Sequence, residues 1–183
     1  MTDALNRPTL LVTGASGFLG WHLCHQATLD WNVIGVCRST STSIRNVDVQ
    51  TVDLTKSVQV AALLDSIKPD AVIHAAALAN PNTCEQTPAV SERINVGTTR
   101  QIAAWCGHAS VPMVFTSTDL VFNGLEAPYS ELDPPSPICV YGEHKLAAER
   151  VVLDHAPNGL VCRLPLMFGD RNGAPASFIG PWI

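Results

Sequence analysis

Six short apolar runs bounded by turn residues recur along the chain: Thr9–Thr13, Asn32–Cys37, Val47–Val52, Ala71–Ala75, Met113–Thr116 and Leu160–Leu164. Each is rich in β-branched residues, the pattern of a strand buried on both faces of a sheet. Between most of them lie longer segments with helical spacing of apolar positions: Gly17–Leu29, Ser57–Ile67, Pro88–His108 and Val140–His155, the last carrying Leu146, Val151, Val152 and Leu153. Strand alternating with helix predicts an α/β fold, a parallel sheet with helices on both faces. Right-handed crossovers make that sheet doubly wound and Rossmann-type, so ligands should sit beyond the carboxyl ends of the strands, near the point where strand order reverses. Ser39–Ser43 reads as a polar loop, and Pro134, Pro135 and Pro137 mark an irregular link before the last long helix.

Composition narrows the field. At 183 residues, 46% of them hydrophobic, the chain is long enough for one domain with a sizeable core. Charged residues make up 15% and the net charge is −5, with neither sign gathered into a run, so neither nucleic acid nor an anionic membrane is an expected partner. The six cysteines, Cys24, Cys37, Cys84, Cys106, Cys139 and Cys162, stand singly, without metal-ligand spacing. They are expected to be buried, reduced thiols, and no metal is expected. The first residues lack a basic segment followed by an apolar stretch, and no apolar run is long enough to cross a bilayer. The expected setting is cytoplasmic.

The first strand runs directly into Gly14-Ala15-Ser16-Gly17-Phe18-Leu19-Gly20, a G-x-x-G-x-x-G turn that opens a helix. Glycines let the backbone turn tightly and approach a ligand, and a helix N-terminus offers free N–H groups and partial positive charge to a pyrophosphate. Gly14, Ser16, Gly17, Phe18, Leu19 and Gly20 are therefore expected to hold a dinucleotide. After the second strand an NAD enzyme would place a carboxylate for the adenosine ribose, whereas this chain has Cys37-Arg38-Ser39. A guanidinium and a hydroxyl suit a 2′-phosphate, which favours NADP(H), with NAD(H) left open. Stacking of Arg38 on the adenine is the competing reading. Small residues at Ala75, Ala76 and Ala77 would let the cofactor lie close over the fourth strand's end. His74 just before them reads as a hydrogen-bonded core histidine.

Tyr141 and Lys145, four residues apart, share one face of the last long helix. A free phenol has a pKa near ~10, and an adjacent ammonium would favour the phenolate and bring Tyr141 toward neutral pH. The alternative is an amphipathic tyrosine beside a snorkelling lysine.

The glycine turn, Tyr141-Gly142-Glu143-His144-Lys145 and the stretch Ser117-Thr118-Asp119-Leu120-Val121-Phe122-Asn123-Gly124 with Tyr129-Ser130-Glu131 together resemble the extended short-chain dehydrogenase/reductase family. Within it the chain is most similar to the dTDP-4-dehydrorhamnose reductase branch, from Thr9 to about Gly169. That resemblance implies an NADPH-dependent reductase of a nucleotide-linked 4-keto sugar, in which Tyr141 donates the proton, Lys145 tunes it and holds the nicotinamide ribose, and Thr118 bonds the substrate carbonyl. It also implies that Asp53 and Leu54 hold the adenine edge, although Asp53 could equally cap a helix. Asn95-Val96-Gly97-Thr98 resembles the segment whose asparagine supports a water linked to the lysine, with a bland helix-surface asparagine as the competitor. An epimerase or dehydratase, and a non-catalytic NADP-binding subunit like the regulatory subunit of methionine adenosyltransferase, remain alternatives. Asn123 stands where many relatives have aspartate.

The expected division is an NADP-binding domain over residues 1–170, with 171–183 starting an incomplete substrate-binding region. Relatives continue beyond the position of Ile183, so truncation and a missing half of the sugar-nucleotide site are expected. Exposure of Phe178 and Trp182 would then allow a homodimer.

Overall fold

In the computed structural model, which describes residues 7–38 and 42–169, all six expected strands form. They are β1 (Thr9–Thr13), β2 (Asn32–Cys37), β3 (Val47–Thr51), β4 (Ala71–His74), β5 (Met113–Thr118) and β6 (Gly159–Leu164). One sheet holds them in the order β3-β2-β1-β4-β5-β6, with every neighbouring pair parallel. The chain steps outward from β1 to β2 and β3, then returns to lay β4 on β1's other side. Strand order therefore reverses between β1 and β4, and the crevice this leaves at their carboxyl ends is where a ligand has access.

Alternation along β1 divides the core between the two faces. Leu10 and Val12 pack with Cys24 of α1 (Phe18–Ala27) and with Ile44, while Leu11 packs toward Val60 and Leu64 of α2 (Ser57–Ile67). Ile102 of α5 (Thr98–Ala109) and Val152 of α6 (Val140–His155) complete that second layer. Each fully buried side chain such as Leu11, Leu64 or Phe115 stabilises by roughly 1.5–3 kcal/mol relative to exposure, which is why the apolar spacing of these segments selects the fold.

The helix expected over Pro88–His108 forms as one helical run interrupted only by a π-helical turn, and a further short helix that was not expected precedes it. Short α3 (Pro81–Gln86) and α4 (Pro88–Glu92) each begin with a proline in the first turn, where its missing N–H is not needed. Asn80 caps α3 by accepting from the Thr83 N–H at 3.0 Å, and Thr87 separates α3 from α4 with a non-helical backbone (φ −135°, ψ 61°). A π-helical turn over Arg93–Gly97 then leads into α5. Of the cysteines, Cys24, Cys37, Cys84 and Cys106 are buried, whereas Cys139 and Cys162 are partly exposed, against the expectation that all six are buried. Cys139 caps α6, its sulfur accepting from the Gly142 N–H at 3.4 Å, which places it at the helix start and not in the core. Among the described residues no helix is long and apolar enough to cross a membrane, and no cluster of His, Cys, Asp and Glu could hold a metal ion.

Candidate functional site

The turn after β1 is shaped for close backbone approach. Gly14 takes a left-handed backbone (φ +76°), and a Cβ there would lie 2.8 Å from backbone atoms of Ala75 and Ala76. A Cβ on Gly20 would collide with the Gly14 carbonyl oxygen. The N–H groups of Gly14 and Ala15 both donate to the Val36 carbonyl, at 2.9 and 3.0 Å, which fixes the loop between β1 and β2. No side chain caps the N-terminus of α1, so its first-turn N–H groups are left to meet a ligand. No acidic residue stands in that turn to compete with an anion.

A cavity of about 900 Å³ opens over this turn and runs across the strand ends. Gly14, Ser16, Gly17, Phe18, Leu19 and Gly20 line it beneath, with Arg38, Asp53 and Leu54 at one end. Ala75, Ala76 and Ala77 line its middle, and Thr118, Tyr141 and Lys145 its other end. Of the residues predicted from sequence, Ser39 and the whole of 171–183, with Phe178 and Trp182, lie outside the described residues. Asp53 accepts from the Thr55 hydroxyl (2.7 Å) and the Thr55 N–H (3.0 Å). These bonds, with smaller help from Lys56 and Arg38, hold its carboxyl below the usual carboxylate range. The Asp53 carboxylate thus shapes the turn after β3 while Leu54 faces the cavity.

At the far end, α6 starts hard against β5. A Cβ on Gly142 would collide with the Leu120 carbonyl oxygen, so only glycine lets the helix carry its neighbour Tyr141 this close to the end of β5. The Val140 N–H donates to Glu85 Oε1 at 2.8 Å and ties the same helix start to α3. Thr118 caps the short turn that follows β5 by accepting from the Leu120 N–H at 3.2 Å, and its hydroxyl donates to Asp119 Oδ1 at 3.1 Å. That hydroxyl must leave Asp119 before it can donate to a substrate.

Lys145 differs from expectation. Its side chain is 2% exposed, its Nζ donates to the Thr116 carbonyl at 2.6 Å, and it lies 4.0 Å from the centre of the Phe115 ring. Burial pulls its ammonium down to about 7, with Glu149 opposing the fall. Burial likewise pushes the Tyr141 phenol up to about 12, reinforced by Cys84, Asp119 and Cys139. The expected lowering of the phenol by Lys145 is therefore overturned: desolvation dominates, and the ammonium is directed into β5. At neutral pH the Tyr141 phenol is fully protonated.

Asn95 does not line the cavity and so touches no cofactor there directly, and it is not the helix-surface asparagine of the competing reading. It is 1% exposed, with its side-chain oxygen accepting from the Leu78 N–H (2.8 Å) and its amide donating to the Leu78 carbonyl (3.1 Å) and to Ser91 Oγ (3.2 Å). It shapes the wall at one remove by pinning the segment after β4. His74 is a saturated core residue, as its place in the sequence suggested. Thr13 Oγ1 already accepts from the Ala75 and Ala76 N–H groups (3.2 Å each), so its proton goes to His74 Nδ1 at 2.7 Å. The Thr99 hydroxyl donates to the Asn95 carbonyl, so it accepts from Nε2 at 3.1 Å. The imidazole is the neutral Nε2–H form, pulled down to about 3 by burial and by Lys145.

Sequence reasoning missed the segment Leu78-Ala79-Asn80-Pro81, which also lines the cavity, and missed Glu149 beneath it. Glu149 had a legible signal, since it repeats the four-residue step from Tyr141 to Lys145. The segment after β4 had none, because only the π-helical turn and Asn95 bring it there.

A family model described as the RmlD substrate binding domain matches residues 8–179. Methionine adenosyltransferase 2 subunit beta of Xenopus laevis is 32% identical over 161 residues, 87% of this chain and 47% of that protein. The probable low-salt glycan biosynthesis reductase Agl14 of Haloferax volcanii is 34% identical over 176 residues, 94% of this chain and 58% of that protein. A solved structure of a hypothetical dTDP-4-dehydrorhamnose reductase from Sulfolobus tokodaii matches with a TM-score of 0.81 and 31% identity, over 89% of this chain and 57% of that one. The chain spans about half the length of the curated relatives it matches.

Proposed function

Because the chain belongs to the RmlD substrate binding domain family, we propose that it is the dinucleotide-binding part of an NADPH-dependent reductase of a nucleotide-linked 4-keto sugar. On this reading residues 1–170 form the NADP-binding domain and 171–183 begin the substrate-binding region. The observation that carries it is the single cavity in which the glycine turn, Arg38 and the group Thr118, Tyr141 and Lys145 all meet. A pyrophosphate fits the cradle that a Cβ on Gly14 or Gly20 would fill, and the free N–H groups opening α1 would bond it. Arg38, exposed at the other end, would meet the 2′-phosphate. When bound, the cofactor supplies the hydride.

The chain's own residues then have distinct tasks. The Tyr141 phenol, protonated at neutral pH, gives its proton to the substrate oxygen. The Thr118 hydroxyl turns from Asp119 to the same oxygen and stabilises the charge that develops there. The Lys145 ammonium, held at Thr116, takes up the nicotinamide ribose hydroxyls and restores the proton donor. Ala75, Ala76 and Ala77 keep the floor low enough for the ring to approach.

A second reading, a non-catalytic NADP-binding subunit, is favoured by the likeness to methionine adenosyltransferase 2 subunit beta. It keeps the cofactor site and drops the proton transfer. Turnover of a keto sugar by the whole protein separates the two, since a binding subunit shows none.

The cofactor assignment is tested by fluorescence titration with NADPH and NADH, in the wild type and in Arg38→Ala. The expected result is an NADPH preference that falls roughly 10–100-fold in the variant, the worth of a charge-assisted hydrogen bond. Failure of the wild type to bind either nucleotide would overturn the reading.

A further inference from the structure

Glu149 is a carboxylate 3% exposed, in the layer between α6 and the sheet. Its Oε1 accepts from the Ser117 hydroxyl at 2.5 Å and from Arg163 Nε at 3.0 Å, and its Oε2 accepts from Arg163 Nη2 at 2.7 Å. Ser117 and Arg163 are register partners on β5 and β6, so a single carboxylate joins both strands to the helix. Ser117 lines the cavity and immediately precedes Thr118. Lys145 lies one turn back on the same helix, its Nζ bonded to Thr116 on the same strand end. Arg163 in turn lies over the Phe122 ring at 5.0 Å, and Phe122 stacks on Tyr129 at 4.2 Å. The carboxylate is thus coupled both to the proton-transfer group and to the loop after β5.

We propose that Glu149 is a positioning residue of the site: it holds the end of β5 through Ser117, beside the Thr116 carbonyl that receives the Lys145 ammonium, and it places a carboxylate one helical turn from that ammonium. This rests on the reductase reading for its consequence, though not for its physics. A buried ion pair as such is weak evidence for stability, because desolvating both charges offsets most of their attraction. A mere clamp between helix and strand would therefore be expected to use apolar residues. What an apolar pair cannot supply is negative charge one turn from Lys145, where burial opposes protonation. The other titratable groups around this pair are Tyr141 one turn before Lys145, Asp119 bonded to Thr118, His74 on β4, Arg163 on β6 and Glu131 near Arg163. His74 is neutral, Arg163 permanently cationic, and Glu131 reaches the pair only through Arg163. On α6 itself His144 is turned away, bonded to Ser91.

The test is an NMR titration of the lysine Cε resonances in the full chain without nucleotide. Its three lysines, Lys56, Lys68 and Lys145, are assigned by substitution. Glu149→Gln keeps size and polarity but removes the charge. It is expected to lower the Lys145 midpoint by about one pH unit or more, as a lost nearby counter-charge should, with Glu149→Asp recovering part of it. Glu149→Leu combined with Arg163→Met removes the ion pair together and leaves no unpaired Arg163. It stands in if Glu149→Gln does not fold, and because a positive charge leaves with the carboxylate a smaller fall in the same direction is expected. A folded variant of either kind whose Lys145 titrates as in the wild type overturns the proposal. Nucleotide titration of the same samples keeps the two ideas apart: loss of NADPH binding by the wild type would sink the reductase reading and leave the lysine result standing.

Discussion

The chemistry of single residues here is governed by burial more than by pairing. Lys145 holds its ammonium in the core with one carbonyl and one aromatic face as partners, and its affinity for a proton falls to about 7 from an ordinary 10.5. Between those two values the unfolded chain keeps a proton that the folded chain gives up. Stability therefore rises as pH climbs through that window, and the cost of burying the charge is fully present below about 7. Lys145→Met removes that slope. Chemical denaturation should show the variant gaining more over the wild type near about pH 6 than near about pH 10, and an equal difference at both would contradict the placement of Lys145. That Tyr141 and Lys145 work on one helix face was legible from their four-residue spacing. The direction of the ammonium was not, because spacing places side chains on a face without saying what lies beneath it, here Phe115 and Thr116.

At the scale of elements, the glycine turn and the start of α6 rely on the same device, an absent Cβ that lets two backbones touch. Gly14 and Gly124 share nearly the same left-handed backbone, at φ +76° and +79°, yet only Gly14 has backbone atoms within 3 Å of where a Cβ would stand. Replacing Gly124 by alanine should cost the conformational strain alone, about 1–2 kcal/mol. Gly14→Ala adds overpacking against Ala75 and Ala76, a further 1–3 kcal/mol or so. Urea melts of the two variants measure the difference directly, and equal losses would mean that the close approach to Ala75 relaxes freely. Strand positions and the long helices α2 and α6 followed from apolar periodicity, since those segments bury a continuous face. The short helix Pro81–Gln86 and the π-helical turn inside the expected Pro88–His108 helix did not, because the first depends on Pro81 and a cap from Asn80 and the second on packing that spacing does not encode.

For the molecule as a whole, the chain of buried hydrogen bonds through Thr13, His74, Thr99 and Asn95 ties β1, β4 and the π-helical turn beneath the cavity. His74 stays neutral there, pulled down to about 3 from an ordinary 6.5, so the unfolded chain binds a proton that the folded chain refuses between those values. Its contribution is complete above about 6.5 and is lost as pH falls through the window. His74→Asn, although less stable overall, should lose less stability between about pH 7 and about pH 4 than the wild type does. A parallel decline in urea titrations would show that His74 titrates freely. The strands, their alternation with helices and the glycine turn after β1 were determined by the sequence itself. Burial on two faces and glycine at fixed steps are local patterns that select a doubly wound sheet, while its strand order is a tertiary outcome. Only the tertiary structure decided that Asn95 builds a wall at one remove, that Thr118 first bonds Asp119, and that Glu149 joins Ser117 to Arg163. Those outcomes depend on which groups are desolvated together, and the partners come from separate elements that meet only once the sheet has closed against its helices.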